Sequence, residues 1–136
     1  MSDEPKPGFG GRRLHLKLAE IASEIKSVPK NGRNTFHKYD QVTEADLIEA
    51  VRSKLTARNI VRMPSVREIT TRPGDESKAS TVTTVMMDFT FIDADTGETL
   101  VASWAGTGAD AGDKGLYKAY TGALKYFLMK AFQVPT

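Results

Sequence analysis

Cysteine is absent from the 136 residues. Its absence excludes a disulfide framework and a thiolate metal site. Histidine is scarce: His15 and His37 stand far apart in the chain, so a histidine-built zinc site is not expected. No apolar run approaches the ~20 residues a helix needs to cross a bilayer. The opening stretch MSDEPKPGFGGRR has no apolar core and does not read as a secretory signal. The expected setting is the cytoplasm, with no membrane partner. There is no large excess of either charge, the formal net charge being +2. The distribution is more telling than the total: residues 1–72 carry a basic surplus, and residues 73–136 an acidic one.

Catalytic constellations are also missing. Asp88 sits alone in a strand-like stretch, and Asp93 and Asp95 fall in a turn-like one. Ser53, Ser65, Ser77, Ser80 and Ser103 have no base at a recognisable spacing. Asp110 and Asp113 offer Mg²⁺ two carboxylates and nothing else, so no cofactor is required. Gly106-Thr107-Gly108-Ala109-Asp110-Ala111 fits the dinucleotide fingerprint on paper. However, no strand follows to close a βαβ unit, and no acid lies ~20 residues on to hold a ribose. Gly112-Asp113-Lys114-Gly115 lacks the order of a phosphate-binding loop. The glycines read instead as a tight entry to a helix, with Asp113 as its cap or first-turn acid. The chain does not read as an enzyme.

What is present is ordinary for a globular fold: 40% hydrophobic and 26% charged residues, in a length suited to one domain with a proper core. Met1 to Gly11, rich in Pro, Gly and charge, reads as a disordered arm, leaving 12–136 as the domain. Arg12 to Ser27 predicts a helix, with Leu14, Leu18, Ile21, Ile25 and Val28 on one stripe and Pro29 as its stop. Lys30 to Gln41 reads as a loop with a turn at Asn31-Gly32. In it, Arg33, His37 and Lys38 interleave with Phe36 and Tyr39. Cations that hold a backbone and rings that stack on bases are what a single-stranded nucleic acid needs, although Phe36 and Tyr39 can equally plug the loop into the core.

Thr43, with Asp46 three residues on, predicts a capped helix to about Arg58. Leu47, Ile48, Val51 and Leu55 should face inward, and Asn59 should terminate it. Three strands follow: Ile60 to Thr70, irregular at Pro64; Thr81 to Ile92, with a clear period of two; and Thr99 to Ala105. The fold class is α+β: two N-terminal helices, a three-stranded antiparallel meander and a long C-terminal helix packed on the sheet. Both sheet edges stay open, so copies should pack edge to edge as a homo-oligomer.

The final segment, Gly112 to Pro135, predicts one long helix. Leu116, Tyr120, Ala123, Phe127 and Ala131 gather on its core side. Lys114, Lys118, Thr121 and Lys125 gather opposite, with no acid between them, while Lys130 departs from the row. Such a row is either a solvated face or a line of cations spaced for successive phosphates.

The stretch Phe36-His37-Lys38-Tyr39-Asp40-Gln41-Val42-Thr43-Glu44-Ala45-Asp46 resembles the ERF (essential recombination function) superfamily of phage single-strand annealing proteins. So do Ala50-Val51-Arg52 with Leu55, and the closing block Gly112-Asp113-Lys114, Tyr117-Lys118-Ala119 and Thr121-Gly122-Ala123-Leu124-Lys125-Tyr126, with Phe132 and Pro135. The Thr-Gly-Ala-Leu-Lys core is also similar to the third helix of eukaryotic annealing mediators. The resemblance implies rings or filaments that hold single-stranded DNA, and the annealed duplex intermediate, in a basic groove between the sheet's hairpin and the long helix. It implies Lys125 as the leading contact, joined on the same face by Lys118 and Lys114. The loop adds Arg33, His37, Lys38 and Tyr39. Where relatives often carry a second basic residue after the lysine, this chain has Tyr126, a stacking contact or a core ring. Further implied are a phage exonuclease or host single-strand-binding protein as partner, a bacterial host cytoplasm, and a C-terminal tail beyond these residues.

The expected function is ATP-independent annealing of complementary strands in phage-type recombination. Two alternatives are a double-stranded-RNA-binding module, which also runs helix, three strands, helix, and a self-assembling structural protein that touches no nucleic acid.

Overall fold

The computed structural model describes residues 12–25, 32–34, 39–41, 43–74 and 80–134. Its elements are α1 (Arg13–Glu24), β1 (Gly32–Asn34), β2 (Tyr39–Gln41), α2 (Glu44–Ala57), β3 (Ile60–Pro73), β4 (Thr81–Asp93), β5 (Thr99–Asp110) and α3 (Gly115–Ala131). The expected α+β order is present, with β3-β4-β5 as an antiparallel meander. One addition is a small hairpin, in which β1 pairs with β2 from Gly32↔Gln41 to Asn34↔Tyr39, where the residues predicted only a loop. Strands of three residues are too short to carry a period. The expected arm, residues 1–11, lies outside the described residues, as does Val28.

α2 begins as its residues dictate. The Thr43 hydroxyl accepts from Asp46 N, and the Asp46 carboxylate accepts from Thr43 N in return. This satisfies two N–H groups that the first turn would otherwise strand. At the other end Asn59 takes a left-handed φ of 57°, a conformation asparagine tolerates better than most residues.

β4 is the central strand and alternates cleanly. Val85, Met87, Phe89 and Phe91 are buried against the helices. Phe127 of α3 stacks on Phe89, with centroids 4.4 Å apart and planes 5° from parallel. Phe91 meets Phe127 at 6.0 Å and Phe132 edge-on at 6.1 Å. Burying each ring removes a large apolar area from water, at ~1.5–3 kcal/mol apiece.

β5 runs to Asp110, five residues past its expected end, so Gly106 and Gly108 lie inside the strand and not in a loop before the helix. A Cβ on Gly106 would sit 2.1 Å from Ala119 O, and one on Gly108 2.3 Å from Gly115 O. These two glycines let α3 lie almost backbone to backbone on the sheet. That contact rotates the helix. Gly115, Ala119, Ala123, Phe127 and Leu128 are its buried residues, while Leu116 and Tyr120 are only partly covered and Ala131 is exposed. Of the expected stripe, Ala123 and Phe127 are buried; Gly115 and Ala119 join them because Gly106 and Gly108 of β5 oppose that part of the helix.

α3 crosses β5 and β4, while β3 meets α2 and buries Ile60 but is exposed from Met63 on. β3 is an edge strand, which suits Pro64, and the bulge lies between Val66 and Glu68. Val66 and Ile69 share the helix-side face of the sheet with Met87 and Val85, yet are 43% and 47% exposed.

α1 is clipped to the rest by charge. Lys17 Nζ donates to Arg58 O at 2.8 Å, to Asp93 Oδ1 at 3.0 Å and to Asp95 Oδ2 at 2.9 Å. Burial pulls the Lys17 pKa down, but its hydrogen bonds to Asp95 and Asp93 outweigh this and leave it raised. Arg58 also binds Glu20 and Glu24, and Lys54 binds Glu24.

Candidate nucleic-acid interface

Sequence reasoning named seven contact residues. Lys114 and Lys118 line one depression at the start of α3, Lys118 at its edge beside Gly108 of β5, and Lys125 lies about two turns further along the helix. Arg33 and Tyr39 lie in β1 and β2, on the paired backbone of the small hairpin. His37 and Lys38 lie outside the described residues.

The three α3 lysines are not equivalent. Lys118 Nζ donates to Asp110 Oδ1 at 3.0 Å and to Ala109 O at 3.1 Å, with its side chain 53% exposed. The ammonium faces solvent and keeps its third N–H for a further acceptor. Asp110 Oδ2 accepts from Gly112 N at 2.9 Å and from Lys114 N at 3.3 Å. The acid that organises the entry to α3 is therefore Asp110. Asp113 does not cap: the N-cap position is Lys114, and it carries no side-chain cap bond. Lys118 first, then the two backbone N–H groups, hold the Asp110 carboxyl below its ordinary range. Among the described residues, no three metal-ligating side chains gather.

Lys114 is exposed at the helix entry. Lys125 is half-exposed, its Nζ 5.4 Å from the centroid of the Tyr126 ring, a distance at which the ring face attracts the cation.

Sequence reasoning missed Tyr117 and left Tyr126 open. Tyr117 is 65% exposed and Tyr126 48% exposed. Tyr117 is braced edge-on by Tyr120 at 6.3 Å. Tyr126, either a stacking contact or a core ring on sequence grounds, lies at the surface. Lys114, Tyr117, Lys118, Thr121 and Gly122 line a shallow depression on this face. The signal was available: Tyr117 precedes Thr121 by one turn, and Tyr126 follows Gly122 by one.

Arg62 was missed too. It stands opposite Phe91 on the helix-side face of β3, half-buried, and its Nε has no hydrogen-bond partner among the described residues. Burial lowers its pKa, opposed by the charge of Glu44, whose own pKa burial raises. A guanidinium with an unspent donor in a partly dry setting favours an anion.

The family model of the ERF superfamily matches residues 14–136. The chain belongs to the ERF superfamily. Membership ties it to single-stranded DNA and to annealing in recombination of the phage type. No curated protein sequence matches it significantly. None of the described helices is long and apolar enough to cross a membrane.

Proposed function

We propose that this protein binds single-stranded DNA along α3 and anneals complementary strands without ATP. The observation that carries this reading is the outward face of α3, where Lys114 and Lys118 flank the exposed ring of Tyr117 around a shallow depression. Ammonium groups hold phosphates without reading sequence, and tyrosine faces accept any base. Strand pairing then selects the partner. A track of this kind needs length, and one α3 spans only ~26 Å at 1.5 Å per residue. Repetition of the subunit supplies it. Among the described residues both sheet edges, β3 and β5, are unpaired, and β3 is exposed from Met63 on, as expected of a surface covered by a second copy in a ring or filament. The bacterial cytoplasm is the matching compartment.

The test is Lys118→Ala with Lys125→Ala, measured by anisotropy of a labelled single strand across a salt series. The double variant should bind at least about tenfold more weakly and lose roughly 1.4 from the log–log salt slope. Its thermal melt should fall only slightly, by the loss of the solvent-facing Lys118–Asp110 pair. An unchanged slope, or tighter binding of duplex RNA than of single-stranded DNA, would count against the reading.

A further inference from the structure

The exposed face of α3 carries a glycine that the chain itself does not use. Gly122 lies well inside the helix, where glycine is among the least favourable residues because ordering its backbone costs the most entropy. The other glycines of this region have a reason in the packing: Gly106 and Gly108 touch the backbone of α3, and Gly115 lies against Thr83 and Gly108. At Gly122 an added Cβ would meet nothing within 4 Å, and its φ is not positive. Nothing within the described fold calls for a missing side chain there.

The surroundings say what does. Gly122 forms part of the depression lined by Lys114, Tyr117, Lys118 and Thr121. Lys118 stands one turn before it and Tyr126 one turn after. Asp110, a carboxylate beside this face, is already paired with Lys118. We propose that Gly122 is the point of closest approach of the bound DNA strand. The sugar–phosphate backbone seats over the bare helix, the Lys114 and Lys118 ammonium groups reach its phosphates, and a base stacks on Tyr117. A side chain at this position would hold the strand away from the helix and weaken each of these contacts, since charge attraction falls with distance. A polyanion suits the notch better than a second copy of the chain, because cations and exposed rings border it. The inference rests on α3 being the DNA-binding face and adds where the strand touches it.

The experiment compares Gly122→Ala and Gly122→Gln with the parent in three measurements: thermal melting, assembly state by sedimentation, and affinity for a short thymidine oligonucleotide. Both replacements are good helix formers and neither adds charge, so both should raise the melting temperature, by about 3 °C for alanine. Affinity should fall with side-chain size, about threefold for alanine and at least about tenfold for glutamine. Parent-like affinity in both variants would overturn the proposal while leaving the DNA-binding face intact. So would a lowered melting temperature, which would show that the fold needs the glycine. Loss of assembly with unchanged affinity per protomer would give the notch to a neighbouring copy and also overturn it. A parent protein with no affinity for the oligonucleotide would sink the underlying reading of α3 itself.

Discussion

Asp110 shows how one carboxylate can both build a site and restrain it. It closes the turn into α3 through Gly112 N and Lys114 N, and it competes with any phosphate for Lys118. Asp110→Asn keeps an oxygen for the turn and removes the competing charge. The variant should bind single-stranded DNA about two- to fivefold more tightly at low salt, with the gain fading as salt screens the pair. The same carboxylate has a signature in pH. Its pKa in the folded protein lies below the ordinary 3.8, so its stabilising contribution is present above that value and is lost as pH falls through the folded one. Parent and Asp110→Asn should therefore differ in melting temperature at neutral pH and converge in strong acid. A gap that stayed constant across the acid range would show that the ion pair contributes nothing.

Between α3 and β5, small residues set the geometry. With a Cβ at Gly106 only 2.1 Å from a backbone oxygen of α3, no side-chain rotation can relieve the clash, and the helix must move. Gly106→Ala should cost on the order of 3 kcal/mol, as overpacking against main chain does, visible as a large drop in denaturation midpoint. The predicted contrast with Gly122→Ala is sharp: the same substitution should destabilise at one glycine and stabilise at the other. The element-scale lesson concerns α3's core side. Its apolar residues recur with helical period in the sequence, but several rotations satisfy that period. The choice among them required knowing that glycines opposed it, and the sequence placed those glycines after the strand.

For the molecule as a whole, the stretch of β3 beyond Arg62, exposed on both faces, is the feature that monomer stability does not explain. Val66 and Ile69 face the helix side of the sheet but receive no helix. Val66→Glu with Ile69→Glu should leave the isolated subunit folded, since neither is buried within it, and should abolish assembly in sedimentation or mass photometry. Annealing should then fall much further than binding of a short oligonucleotide, because a long track needs many subunits. A parent chain that stays monomeric at micromolar concentration would remove this surface from the account.

The sequence by itself determined the element types and most of their order, because helical and strand periods, the Thr43 cap and the Asn59 terminator are local signals. It also placed the α3 lysines outside the core, and its closing block carried the family. Tertiary structure alone decided the rest: that α3 presents its smallest residues to β5, that Tyr117 and Tyr126 are at the surface, that Lys118 shares its charge with Asp110, and that β3 is exposed beyond Arg62. Each depends on which surface meets which across long separations in the chain. A residue's period says which neighbours share its face, and only packing says what, if anything, that face touches.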